Sequence, residues 1–437
     1  MAAIPTKLSF SRWTFIAVIS AFVTYYCMYA FRKPFAVLAF EGDWWGGFAL
    51  KTAIVTAQLL GYVTAKFLGT KVCSSLERNH VFPALLTCIL VALGTLALLA
   101  ILPPRLGVLA MVINGLSLGM VWGMVMRPLE GRGNSEFLLA GLCCSFIIAS
   151  GDVKSMGSRV LASDFFNQTF GSDLWMPFAT GLIYLLPFLL AAYFLGKVPA
   201  PNPQEVESRS ERKAMSPADR LLFLKKLALV LIPLALTYFL LTAFRDYRDN
   251  FQADLFLEVG VDPEKHQDAF ANSERIIAFS VVAIVSLVIL IKRHLTALQT
   301  THLVMALSLL LPAGSILLRE AGLIDGFTWM ILSGLGAYLP YILVHCVIFE
   351  RLVAFTKVPG NAVFAMMLFD GLGYLGPIII IPLGDIIGGE SRLATFDILT
   401  YTLAAVGVTG MVACLLLTPR YRQKQAAEAK GALPELS

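Results

Sequence analysis

Charge is what this chain has least of. Only 14% of its 437 residues are Asp, Glu, Lys or Arg, against 57% hydrophobic, which is more apolar surface than a water-soluble domain can bury. That shortage excludes a water-soluble domain and makes lipid the solvent. The chain also lacks a His-Glu-x-x-His pair, a phosphate-cradling glycine loop and a nucleophile with a convincing base, so a membrane enzyme is set aside. It has no basic stripe interleaved with aromatics, and the net charge of +5 is not a nucleic-acid surface. The cysteines number seven, an odd count. Most of them (Cys27, Cys88, Cys143, Cys144, Cys346, Cys414) sit inside apolar stretches without metal-ligand spacing. They are expected to be free, buried thiols, with no metal and no cofactor.

What the chain does have is long apolar runs of about 20 residues, the length that crosses a bilayer as a helix. Barrel strands would be half as long and alternating. The runs predict about twelve spans, at residues 13–40, 47–69, 81–102, 107–126, 135–161, 175–195, 227–245, 276–291, 302–318, 327–349, 360–387 and 394–417. The first is too long for a signal-peptide core, carries Arg32 and Lys33, and has no small-residue cleavage site, so it reads as a mature helix.

Basic residues sort the connectors. Lys7, Arg12, Lys71, Arg78, Arg127, Arg132, the cluster from Arg209 to Lys226, Lys292, Arg293, Arg351, Lys357 and the tail from Arg420 to Lys430 fall on one side. The positive-inside rule makes that side cytoplasmic, with both termini on it. The opposite connectors carry Glu41, Asp43, Asp173, Asp254, Glu258, Asp262, Glu264, Asp325 and Glu390. Residues 197–226, with Pro201, Pro203 and several serines, have the composition of a cytoplasmic linker. It divides the chain into a six-helix half at 1–196, a second six-helix half at 227–418 and a tail at 419–437. Two helical halves joined this way suggest the parallel repeats of the major facilitator class, an all-α polytopic fold with a central solute site.

Ionised side chains in such spans cost roughly 3 kcal/mol on insertion scales and normally meet a cavity or a partner. The first span sets Tyr25, Tyr29 and Arg32 on one helix face, with Lys33 beside them. A guanidinium there is suited to clamp a phosphate or carboxylate while phenols donate to the remaining oxygens. Snorkelling to the interface is the plainer alternative for Arg32 and Lys33. The second span shows Lys51, Gln58, Tyr62 and Lys66 as one stripe, with Lys66 close enough to the span end to be simply solvated. The seventh offers Tyr238 and Arg245, followed by Asp246, Arg248 and Asp249, which read as an exposed ion-paired helix end.

The fifth span contains Ser150, Asp152, Lys154 and Ser155, and the eleventh contains Asp370 and Tyr374. Asp370 reads first as one half of a structural salt bridge and second as a titrating proton-coupling group, and Asp152 and Lys154 await partners. The tenth span aligns Tyr338, Tyr341 and His345, with the histidine read as a packing residue. Glu350 and Arg351 end that span as a gate ion pair or a solvated terminus.

At these residues the sequence resembles the organophosphate:phosphate antiporter family of the major facilitator superfamily, typified by the glycerol-3-phosphate transporter. Tyr29, Arg32, Lys33 and Phe35 repeat its Tyr-x-x-Arg-Lys-x-Phe, and Tyr62, Lys66, Phe67 and Gly69 its Tyr-x-x-x-Lys-Phe-x-x-Gly. Arg245 matches a family arginine. Tyr338 and Pro340 with Glu350 twelve residues after Tyr338, and Gly373, Tyr374, Leu375 and Gly376, complete five short motifs in order. The resemblance implies that Arg32, Arg245 and Lys66 bind a phosphate and that the tyrosines line the site. The family's fifth-helix histidine is absent, since that region reads Cys143, Cys144, Ser145, Phe146. Its Asp-Arg loop signature is replaced by Lys71, Val72, Cys73, Ser74, Ser75. This looks like a divergent branch.

The sequence thus points to a monomeric secondary transporter in a bacterial inner membrane, alternating access around a small phosphorylated or carboxylated solute, with phosphate or a proton as counter-ion. Two rivals stand beside it. One is a proton-coupled carrier of a larger ligand such as a siderophore, peptide or drug, and the other is a membrane sensor that binds a sugar phosphate without carrying it.

Overall fold

The structure, a computed structural model, describes residues 12–45, 47–75, 78–126, 128, 135–199, 215–263, 265–356, 358, 362–387 and 391–421. Lys7, Arg127, Arg132, Arg209, Lys357, Glu264, Glu390 and residues 200–214 of the 197–226 linker lie outside the described residues, as do the side chains of Lys71, Arg78, Cys143 and Cys144.

The fold is all-α and polytopic. Among the described residues nine helices are long and apolar enough to cross a membrane, and a shorter apolar helix covers Phe15–Phe31. Two more of comparable length, Leu50–Ser75 and Ser135–Leu161, complete the set that the sequence pattern predicts. A helix bonds all of its own interior amides and carbonyls, which is why it can replace water with lipid. Large apolar side chains point outward along these helices, among them Leu186, Ile232, Phe279, Leu287 and Leu416, an arrangement stable only against hydrocarbon. The sole sheet among the described residues is a short antiparallel hairpin, with Asp43 opposite Ala49 and Trp45 opposite Phe48.

Several spans run past their predicted bounds, among them Ala269–Ile289 against 276–291 and His294–Glu320 against 302–318, and two differ in a way that bears on the site. The first is not one helix to residue 40: its α-helix, Arg12–Met28, gives way to 3-10 turns at Tyr29–Phe31 and Pro34–Val37. Pro34, which has no amide hydrogen to donate, opens the second of these turns, a position that a proline suits. The seventh is longer than 227–245, running 34 residues over Pro217–Asn250. The stretch that looked like an exposed ion-paired end is inside it, with Asp246, Arg248 and Asp249 all buried.

The chain divides into two compact units, Met1–Glu211 with Asp249–Ala278 and Ile381–Glu390, and Arg212–Arg248 with Phe279–Ile380 and Ser391–Ser437. In the first unit the second span lies against the helix Pro104–Gly119, backbone to backbone. A Cβ on Gly61 would sit 2.0 Å from the Val112 carbonyl oxygen, and one on Gly115 would sit 1.9 Å from that of Gln58. Small residues allow such an approach where lipid supplies no hydrophobic drive to bring helices together.

In the second unit the helix His294–Glu320 packs on Gly326–Leu343 and on Arg392–Leu417. Buried Trp329 lies under the Arg319 guanidinium at 4.7 Å, and Arg319 reaches Asp397 at 3.0 Å. Outside the spans, Asp325 caps Gly326–Leu343 by accepting the Thr328 amide at 2.8 Å. That bond holds its carboxyl below the ordinary carboxylate range, so the cap is complete at neutral pH and weakens as pH falls through the lowered value.

Gly115→Leu is expected to lower stability by at least about 1–3 kcal/mol, because the clash is with backbone that no rotamer change relieves. Thermal unfolding in detergent would show it, and a wild-type midpoint would mean that the two helices are not packed so closely.

Candidate functional site

The break in the first span builds the first half of the candidate site. Where the α-helix stops, the carbonyls of Phe31 and Arg32 lose their helical partners. Buried amides from two other helices replace them. Gln58 Nε2 donates to the Arg32 carbonyl at 3.0 Å and to Asn114 Oδ1 at 2.8 Å. Asn114 Nδ2 donates to the carbonyls of Phe31 and Ala92 at 3.2 Å. Each carbonyl left unmet would cost about 1–3 kcal/mol, so this network pins the backbone of Arg32. Asn114 was missed in the sequence reading, although a lone asparagine in the apolar fourth span was its signal.

Held there, Arg32 is 5% exposed and stacks its guanidinium over Tyr62 at 4.0 Å, with Tyr29 at 5.8 Å. Lys66 Nζ lies 5.5 Å from the same Tyr62 ring, and Tyr25 meets Tyr29 edge-on at 5.7 Å. The structure therefore brings together Arg32, Tyr25, Tyr29, Tyr62 and Lys66. Lys51 leaves the predicted stripe: its ammonium pairs with Asp254 at 2.5 Å.

The second unit has a comparable group. Arg245 is 7% exposed, lies 4.0 Å over the ring of Tyr341 and pairs with Asp246 at 2.7 Å. Tyr238 stacks on Tyr341 at 5.8 Å, and Tyr374 is buried within electrostatic reach of both Tyr238 and Arg245. Gly373 lets this happen, since a Cβ there would meet the Tyr238 ring at 2.5 Å. Tyr338 belongs elsewhere, with Arg248, whose guanidinium is 6.0 Å from its ring. Arg248 donates to the Met330 carbonyl at 2.9 Å, and of the tenth-span tyrosines it is Tyr341 that lies beside Arg245.

Below Tyr341 the tenth span changes register. Pro340 interrupts the amide ladder, a π turn follows at Val344–Ile348, and such turns recur at functional positions. His345 sits in it, with Nδ1 2.9 Å from the Tyr341 carbonyl and Nε2 3.5 Å from Asp370. It is not a packing residue alone. Arg351, one turn on, donates to the Ile289 carbonyl at 3.0 Å and approaches His294 at 3.4 Å, while Glu350 is exposed.

A third group, within the first unit, accounts for the remaining buried charges. Asp249 accepts from Lys33 at 2.5 Å, from Lys154 at 2.8 Å and from the Ser150 hydroxyl at 2.5 Å. Lys154 also donates to Gln252 Oε1 at 2.6 Å and Lys33 to Asn250 Oδ1 at 2.9 Å. Gln252 in turn donates to Glu274 at 3.1 Å. Lys33 is therefore a buried ion-pair member and does not snorkel. Asp152, two residues from Lys154, takes different partners, Tyr26 at 2.5 Å and Arg275 at 2.7 Å. Removing Asp249 would strand two buried ammonium groups, so Asp249→Asn should destabilise the protein by about 3–5 kcal/mol. A thermal-shift series in detergent checks it; an unchanged midpoint would show that the cluster is solvated.

The fold these residues occupy can be compared with known proteins. The crystal structure of a D-xylose-proton symporter matches with a TM-score of 0.61 at 13% identity, covering 92% of this chain and 96% of that one. That of the nucleoside transporter NupG matches at 0.60 and 15% identity, over 93% and 99%. The human organic anion transporter MFSD10 matches at 0.52 and 16%, over 90% and 99%. At these identities the likeness is one of fold, and the fold is that of major facilitator transporters. No curated protein matches the sequence. A family model described as "Family of unknown function (DUF5690)" matches residues 34–424, nearly the whole chain, and the chain belongs to that family.

Proposed function

We propose that the protein is a secondary transporter of a small anionic metabolite, phosphorylated or carboxylated, whose charge is read by Arg32, Arg245 and Lys66. One observation carries the reading: each unit holds a buried guanidinium laid 4.0 Å over a tyrosine ring, Arg32 on Tyr62 and Arg245 on Tyr341. A guanidinium centred over an aromatic face is attracted by the ring, and its planar fork of N–H donors suits a carboxylate or a phosphate with two parallel bonds. Tyr25 and Tyr29 in the first unit and Tyr374 in the second would add hydroxyl donors. Major facilitator transporters work by alternating access around a mid-membrane site; an anion that accompanies a buried cation offsets part of the cost of its burial.

Exchange follows from that cost. A carrier whose cations reorient slowly without an anion moves one anion in for each one out, and inorganic phosphate is the simplest partner for a phosphorylated solute. The resemblance to organophosphate:phosphate antiporters supports the same reading. The distribution of basic connectors supports a reading with both termini in the cytoplasm, and a bacterial inner membrane is part of the same proposal.

Radiolabelled phosphate uptake into phosphate-loaded proteoliposomes tests the proposal. Saturable exchange is expected, and Arg32→Ala and Arg245→Ala should each reduce it at least about tenfold while eluting as monodisperse protein. Equal exchange in wild type and both variants would remove the arginines from the site.

A further inference from the structure

Within the first unit the fifth span meets the start of the eighth by direct backbone contact. The Ala271 amide donates to the Ser155 hydroxyl at 3.0 Å, and a Cβ on Gly151 would sit 2.6 Å from the Phe270 carbonyl oxygen. So close an approach fixes the register of the two segments. Two ion pairs cross the joint, Asp152 with Arg275 at 2.7 Å and Arg159 with Asp268. Their members stand two helical turns apart on each side of the joint, and the signs are crossed: each segment contributes one acid and one base.

Arg275 holds an unusual position. Its helix, Ala269–Ile289, turns Ile276, Phe279, Val282 and Leu287 outward, a stripe stable only against hydrocarbon. Arg275 stands at the head of that stripe with its side chain 50% exposed. The next charged residue along the chain is Lys292. The residues between them rise about 24 Å as helix, against a hydrocarbon core of about 30 Å. The two cations therefore cannot both reach headgroup level in an undeformed bilayer.

Asp152 ties Arg275 down. Its side chain is 12% exposed and also accepts from the Tyr26 hydroxyl at 2.5 Å, and Tyr26 is set by stacking on Phe22 at 6.1 Å and by Tyr184 at 6.3 Å. Snorkelling outward would give up that pair. Among the described residues Asp152 is the one polar partner of Arg275, and a guanidinium has five N–H donors. The donors on its outward edge remain for a partner from the membrane. The lipid group that a guanidinium meets with two parallel bonds is phosphate.

The four charges of the joint sum to zero, so net charge does not select an anionic lipid. Asp268, 56% exposed, lies two turns nearer the membrane surface than Arg275. A headgroup with its phosphate deeper and an ammonium shallower matches that order. We propose that the joint between the fifth and eighth spans binds a phospholipid of the ethanolamine class, with its phosphate on Arg275 and its ammonium on Asp268. A choline headgroup has no N–H to donate, and a glycerol headgroup has no cation for Asp268. A lipid held across both segments stabilises their joined arrangement by mass action. The site goes beyond the transport reading and does not depend on which solute is carried.

The full-length protein, stripped of lipid in detergent, is titrated with dioleoyl phosphatidylethanolamine, phosphatidylcholine or phosphatidylglycerol, and bound lipid is counted by native mass spectrometry. The ethanolamine lipid should bind most tightly, and Arg275→Gln should weaken it at least about tenfold. Asp268→Asn should bring the ethanolamine and choline lipids to equal affinity. Equal affinity for all three lipids in wild type, tightest binding of the glycerol lipid, or wild-type affinity in Arg275→Gln overturns the proposal. If Arg275→Gln does not fold, wild type is irradiated with an ethanolamine lipid carrying a diazirine at its headgroup. Adducts within residues 149–159 or 268–279 support the site, and adducts confined to other peptides overturn it. Failure of phosphate exchange would count against the proposed solute class and leave these readouts as they stand.

Discussion

Placing charge in a low-dielectric interior is the constraint on which the rest of this structure depends. Lipid offers no water to an ionised side chain, so each one must find protein partners or cost several kcal/mol. The molecule meets the constraint in three ways. Lys33, Lys154 and Asp249 neutralise one another through direct pairs backed by Ser150, Asn250 and Gln252. Arg248 is absorbed by a carbonyl and a hydroxyl. Arg32 and Arg245 lie over tyrosine rings, whose π faces attract a cation, and Arg245 also pairs with Asp246.

The third solution differs in kind from the first two. A carboxylate that saturates a guanidinium competes with any incoming anion, whereas an aromatic face leaves the charge in place. Arg245 combines both, with Asp246 on one edge and Tyr341 beneath it. The tyrosine ring at 4.0 Å is what Arg32 and Arg245 share, although they and the members of the Asp249 cluster looked alike as lone charges in apolar spans.

Backbone breaks serve the same end. The α-helix of the first span stops at Met28 and Pro340 precedes a π turn in the tenth, and near each break a side chain that matters, Arg32 or His345, sits among backbone carbonyls that other side chains meet. In a bilayer such breaks persist only where other side chains satisfy the freed groups. Gln58 and Asn114 do so for the first, and the His345 ring does so in part for the second.

Length, hydropathy and the spacing of charge within the sequence determined that this is a many-helix membrane protein, where most of its spans lie, and that Tyr29, Arg32, Tyr62, Lys66 and Arg245 are the positions to watch. Those features are local: a run of apolar residues must be helical in lipid, and an arginine inside one is expensive wherever it faces. Only the tertiary structure decided which charges pair. It took Asp246, Arg248 and Asp249 from a presumed exposed end into the interior, sent Lys33 to Asp249 and Lys51 to Asp254, exchanged Tyr338 for Tyr341 beside Arg245, and set His345 against Asp370. Those partners are separated by up to 216 positions along the chain, and helical periodicity carries information only over a few turns. Which cation meets which anion is settled by how helices pack, and that packing is written in close backbone contacts such as those of Gly61, Gly115 and Gly373.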